Sequence, residues 1–341
     1  MLAFTCPVCE RLVTFESTIC LHCGSELGYE PERRTILRVA TEGTVGPPLH
    51  RCANARIAAC NWLVEVEDEL CRSCTLTRTR PNDADGDGLG GFAAAEAAKR
   101  RLLFELADIG LPIVGWQERE GGLAFDLLSS AWTAVTTGQA DGLITLDLDE
   151  TDPSYRERMR VRLGEPYRTV LGHMRHEIAH YYQPIVVPSG SVIEESCREV
   201  FGDERADYQA AMGRYYESGA PAGWEQRFVS AYATMHPWED WAETFAHYLH
   251  IRDTLQTAAA YGVEVDGPSI ETADAAPLHS RPDGESEDIH AMLAAWVPMT
   301  YALNAISRSM GSPDLYPFVL TREIEEKLAF IDTAVRVRVS P

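Results

Sequence analysis

Two histidines four residues apart, with a glutamate directly after the first, stand at His176-Glu177-Ile178-Ala179-His180. On an α-helix that spacing puts both imidazoles on one face, one turn apart, where they can share a metal ion. Zinc suits such a pair, because it lowers the pKa of a bound water toward neutrality. Glu177, beside the first histidine, can reach that water as general base. The chemistry would be hydrolysis of a polarised carbonyl.

Such a centre needs a third ligand, and His236-Pro237-Trp238-Glu239-Asp240-Trp241-Ala242-Glu243 offers two carboxylates four apart. Glu239 is assigned as the ligand and Glu243 as the group that orients a histidine, with the reverse order left open. Trp238 and Trp241 beside them argue for burial rather than a solvated acidic face. Glu199 and Asp203, also four apart and nearer His180 in sequence, are the rival pair, with Glu204 and Asp207 extending the same acidic stretch. His173, one turn before His176, is either a decoy or a supporting group. Tyr232 lies seven residues before Glu239; its phenol could donate to an oxyanion, or it could be a packed aromatic.

A second constellation is made of cysteines. Eight of the nine lie before residue 75, spaced Cys6-x2-Cys9, Cys20-x2-Cys23, Cys52-x7-Cys60 and Cys71-x2-Cys74. A Cys-x-x-Cys turn aims two thiolates at one ion, and two turns complete a tetrahedral site. Cys6, Cys9, Cys20 and Cys23 form one such set. Cys52, Cys60, Cys71 and Cys74 form a less regular one, in which His50 could replace Cys52. A closed four-thiolate site has no open position, so both zinc ions would be structural. A disulfide framework would need a secreted protein. Cys197 stands alone and reads as a small buried hydrophobe.

The elements that must position these groups follow from periodicity. Val170, Leu171, Met174, Ile178 and Tyr181 predict a helix over 169–183 that Pro184 ends. Pro237 suits the first turn of a helix running to about residue 257. Residues 92–108 read as another helix. Segments 112–116, 123–128 and 143–148 read as short strands, and the chain is mainly helical from about residue 165. The expected class is α+β. Residues 81–91, rich in glycine and aspartate, read as a flexible linker between a module at 1–80 and a domain at 92–341. Asp83, Asp85 and Asp87 imitate the start of a calcium loop, but Ala94 stands where the bidentate glutamate is required.

The net charge is −22, and residues 81–341 carry nearly all of it, with 21 Lys/Arg against 42 Asp/Glu. Such a body repels phosphate and anionic lipid, so neither nucleic acid nor a membrane surface is an expected partner. No stretch approaches ~20 continuous apolar residues. The N-terminus lacks the pattern of a signal peptide, so a cytoplasmic location is expected.

Several longer stretches resemble the zinc-binding metallopeptidases of bacteria that carry an N-terminal zinc ribbon. They are the cysteine module with Cys60-Asn61-Trp62-Leu63-Val64 and Leu70-Cys71-Arg72-Ser73-Cys74, then Glu165-Pro166-Tyr167-Arg168-Thr169 and the His176–His180 motif with Tyr181-Tyr182. Phe201-Gly202-Asp203-Glu204-Arg205-Ala206-Asp207-Tyr208, the 236–243 stretch, Ser307-Arg308-Ser309-Met310-Gly311 and Tyr316-Pro317-Phe318 complete the pattern. Ala179 departs from it, since glycine is common there. The resemblance implies a zincin-like, gluzincin-type domain with one catalytic and two structural zinc ions, acting on a peptide or protein. The 239–243 stretch also resembles the third-ligand helix of lethal-factor-type peptidases, where a tyrosine two turns upstream serves the oxyanion; that favours Tyr232. A protein partner for the ribbon is left open. The competing functions are a zinc-stabilised adaptor with a vestigial site and a zinc amidase acting on small molecules. Glu177 weighs against the adaptor, since a purely structural site needs no base.

Overall fold

The computed structural model describes residues 1–40, 48–131, 133–163, 165–267, 279–282 and 288–339. They fall into two compact units: Met1–Arg158 with Thr169–Met174, and Met159–Arg168 with Arg175–Pro341.

The first unit begins with three antiparallel ladders: β1 (Phe4–Thr5) with β2 (Leu12–Val13), β3 (Leu27–Glu30) with β4 (Thr35–Arg38), and β5 (His50–Arg51) with β6 (Leu63–Val64). The strands are short because cysteine turns interrupt them. Gly24, at φ +72°, closes the turn after Cys23 in a conformation that side chains disfavour. One helical turn, α1 (Arg72–Thr75), leads into β7 (Thr77–Thr79) and the long helix α2 (Gly86–Asp108). A mixed sheet follows, in the order β7, β8 (Ala124–Leu128), β10 (Leu143–Asp147), β9 (Gly138–Ala140). β8 runs parallel to both β7 and β10, and β9 is antiparallel to β10. Two of the three expected strands are therefore present; 112–116 contributes only a bridge between Gly115 and Leu123.

The expected linker looks different in the structure. Residues 86–91 are the first turns of α2, and Asp85 caps them by accepting from Gly88 N at 2.8 Å. Gly91 serves close packing: a Cβ there would sit 2.8 Å from Thr151 Oγ1. A boundary at residue 80 would also follow directly after β7, a strand of the mixed sheet. The cysteine module even borrows its core from beyond that point. Phe104 of α2 packs against Phe4, Phe15 and Tyr29 with ring centroids 5.3–6.5 Å apart. Arg100 donates to the carbonyls of Ala58 and Ala59. Beneath, fully buried Lys99 and Glu96 pair at 2.6 Å, and both hydrogen-bond Thr77.

Helix α3 (Pro153–Leu163) precedes α4 (Val170–Val186). Pro184 does not end α4. Its missing N–H costs one bond near the C-terminus, and the ladder resumes with Val187 N donating to Gln183 O at 2.8 Å. In the second unit α5 (Val192–Phe201), α6 (Tyr208–Ser218), α7 (Pro237–Ala260), α8 (Ile289–Ser309) and α9 (Arg322–Val339) follow, with a small ladder of β11 (Val265–Asp266) and β12 (His279–Ser280). The fold is α+β. Helix α7 is central, burying Trp241, Phe245, Tyr248, Leu249 and Ile251. Two polar ties bind it to α9: Lys327 to Asp240 at 2.6 Å and Tyr248 to Asp332 at 2.9 Å. Helix α8 is long and apolar enough to cross a membrane by length and composition. Here it packs Leu293, Trp296 and Met299 into the core.

Candidate active site and metal centres

Thr169 starts α4 by accepting from Gly172 N at 2.9 Å, which sets the phase that puts His176 and His180 on one inward face. His236 caps α7, its Nδ1 accepting from Trp238 N at 3.1 Å, and Pro237 fills the first helical position. Glu239 thereby sits in the first turn, where the helix dipole favours a carboxylate. Trp241 joins the two helices by donating from Nε1 to Ala179 O at 3.1 Å. Residue 179 is fully buried at this crossing, which accounts for a small side chain there.

Three atoms converge. His176 Nε2 lies 3.2 Å from His180 Nε2 and 3.0 Å from Glu239 Oε2, and the third edge is 3.6 Å. Corners of a tetrahedron with zinc bonds of ~2.0–2.1 Å are about 3.3 Å apart, so the set fits zinc. His176 Nδ1 faces Glu243 Oε1 at 2.7 Å, and Glu243 Oε2 accepts from Ser230 at 2.6 Å. With Nδ1–H donating to Glu243, Nε2 would be the ring atom left to face a metal ion. Glu239 Oε2 is buried without a hydrogen-bond partner despite its nearness to His176. Burial alone would raise the pKa of Glu239, but His176 and His180 outweigh it and hold the carboxyl well below the usual range. Burial alone would lower that of His176; Glu239 and Glu243 outweigh it and raise it. The pocket calls for a positive charge.

Glu177 is 5% exposed on the same turn. The Tyr232 ring lies 5.9 Å from that of His176, and Trp238 stacks on His180 at 5.5 Å. Tyr208 donates to Glu239 Oε1 at 2.9 Å. Burial, then Glu239, raises the pKa of both phenols, keeping them protonated donors.

Glu239 stands in the triangle with both histidines and Glu243 stands on His176 Nδ1, whereas the rival carboxylates lie elsewhere. Glu199 is exposed on α5, and exposed Asp203 is held by Arg205 at 2.7 Å. The acidic stretch is not one helix: α5 stops at Phe201, Glu204 pairs with Arg198, and Asp207 caps α6. His173 faces Glu150 at 2.6 Å. Sequence reasoning gave no role to Tyr208 or Ser230. Both lie in stretches dense with motif residues, but nothing in their spacing says what they touch.

The cysteines cluster in two sets, Cys6, Cys9, Cys20, Cys23 and Cys52, Cys60, Cys71, Cys74, without His50. Sulfur pairs stand 3.7 Å (Cys6–Cys23), 3.6 Å (Cys9–Cys20) and 3.6 Å (Cys60–Cys71) apart. Zinc–sulfur bonds of ~2.3 Å predict about 3.8 Å. Cys52 also accepts from Cys71 N at 3.2 Å and Asn54 N at 3.4 Å, which helps explain how an irregular spacing converges. None of the nine cysteines is in a disulfide.

A family described as "Putative zinc-binding metallo-peptidase" matches residues 89–334, and a zinc-ribbon domain matches residues 3–85. The chain belongs to this metallopeptidase family. Uncharacterized proteins of Mycobacterium bovis and of two Mycobacterium tuberculosis strains are 49% identical to it over 335 residues, 97% of this chain and 94% of theirs. No solved structure matches. As in the family description, zinc is the metal, and the cysteine module is the ribbon. The family also points to peptides or proteins as substrates.

Proposed function

We propose that the chain is a zinc-dependent peptidase in which His176, His180 and Glu239 hold the catalytic ion and the two cysteine sets hold one structural ion each. The observation that carries this reading is the triangle of 3.0, 3.2 and 3.6 Å among three buried ligand atoms, with Glu177 on the adjoining helical position. When bound, zinc supplies Lewis acidity toward the scissile carbonyl and acidifies the attacking water.

The protein's own groups do the rest. Glu177 accepts the proton of the attacking water and delivers it to the departing amine nitrogen. Tyr232 donates a hydrogen bond to the carbonyl oxygen as it gains charge. Glu243 and Ser230 hold the His176 ring in the orientation it needs. Trp238 walls His180 from solvent. A Glu177→Gln chain would separate this reading from an adaptor with a vestigial site. It should keep its metal and fold and lose hydrolysis by about 10²–10⁴-fold. Equal turnover of a cleaved peptide by both chains would eliminate Glu177 as the base.

A further inference from the structure

Tyr208 belongs to no ligand set, yet it touches one. Its hydroxyl donates to Oε1 of Glu239 at 2.9 Å, while the other oxygen, Oε2, lies among the histidine nitrogens. A carboxylate can offer a metal either oxygen or both, and it can rotate between those states. A donor fixed on one oxygen selects the other as ligand atom. The donor here is itself fixed. Asp207 caps α6 by accepting from Ala210 N at 3.0 Å, which anchors Tyr208 at the first helical position. His236 reaches the carbonyl of Ala206 through Nε2 at 3.0 Å, and its ring meets the Tyr208 ring edge-on at 5.2 Å. His236 is also the cap of α7, whose first turn carries Glu239, so the starts of α6 and α7 are tied together by residues that flank Tyr208 and Glu239.

We propose that Tyr208 is a positioning residue that holds Glu239 with Oε2 toward the metal, through a hydrogen bond to Oε1. The proposal rests on the reading of Glu239 as third ligand. It assigns the neighbouring phenols different duties: Tyr208 acts on the metal ligand, and Tyr232 acts on the substrate. Removing the first should change the metal centre. Removing the second should change turnover at a nearly constant metal centre.

The test uses the full-length chain with zinc in its cysteine sites and cobalt returned to the exchangeable site after chelator treatment. Cobalt affinity and the visible cobalt spectrum are read for wild type, Tyr208→Phe and Tyr232→Phe. Phenylalanine keeps the ring that meets His236, so the contact between α6 and α7 is retained. Tyr208→Phe should lower affinity roughly 10- to 100-fold, the range for loss of a group that orients a ligand, and should alter the spectrum. Tyr232→Phe should leave both nearly unchanged while lowering kcat. A Tyr208→Phe chain with wild-type affinity and spectrum would overturn the positioning role and leave the metal-site reading intact. A wild-type chain that takes up no cobalt outside the cysteine sites would instead overturn the site on which the proposal depends.

Discussion

The two kinds of metal centre proposed for this chain would be built on opposite principles. Each cysteine set draws its four ligands from at most 23 consecutive residues, 6–23 and 52–74, presented by turns and short ladders. The histidine–glutamate centre takes its ligands from α4 and α7, with Glu239 lying 59 positions beyond His180. The first kind is complete in itself and leaves no coordination position for a substrate. The second has three ligands and depends on helix packing for its geometry. A closed site can organise a chain that lacks a core; an open one has to be organised by a core that already exists.

The largest effect should therefore come from breaking a closed site. Cys71→Ser removes a buried thiolate next to Ser73, α1 and the Glu96 network, and should cost the first unit its cooperative unfolding transition. Loss of the near-ultraviolet circular dichroism of the Phe4, Phe15, Tyr29 and Phe104 cluster would report it, and an unchanged melt would show that the site contributes little to folding. Next should come the buried tie beside the open site. Lys327 Nζ also donates to Arg227 O at 2.6 Å and lies 4.2 Å from the Phe228 ring, so it fastens α9 to the start of α7 and to the segment before Ser230. Lys327→Met should destabilise the second unit by about 3–5 kcal/mol in denaturant titrations, because it strands the Asp240 carboxylate. The double variant with Asp240→Asn should recover part of that loss, which a simple packing defect would not allow.

The difference in construction also decides what could be read without a structure. The cysteine sets were legible because their spacing is local, although the irregular Cys52–Cys60 interval left His50 open as a replacement for Cys52 until the structure grouped the four thiols. His176, Glu177 and His180 were legible because a helix maps sequence interval onto direction. Glu239 and Glu243 were reachable as a pair on one helical face through Pro237 and their four-residue interval, while their order stayed open. The reading of residues 81–91 went another way because glycine has two uses. It lends freedom to a linker, and it lets Gly91 approach Thr151; composition alone does not tell these apart. Tyr208 and Ser230 escaped notice because their partners, Glu239 and Glu243, lie 31 and 13 positions away on another element.

The smallest effect should come from Ser230→Ala. It removes one hydrogen bond from a carboxylate that still faces His176, and should cost zinc affinity at the open site less than 10-fold while leaving both cysteine sites unaffected. Competition with a chromophoric chelator would measure it, and a larger loss would mean that Ser230 rather than His176 fixes Glu243.

The most direct measurement is the number of zinc ions held per chain in wild type and in Glu239→Ala, by metal analysis of protein purified without chelator. Three ions in the wild type and two in Glu239→Ala, with Glu199→Ala and Asp203→Ala still holding three, is the predicted result. Three ions retained by Glu239→Ala, or only two in the wild type, would contradict the assignment of His176, His180 and Glu239 as the third centre.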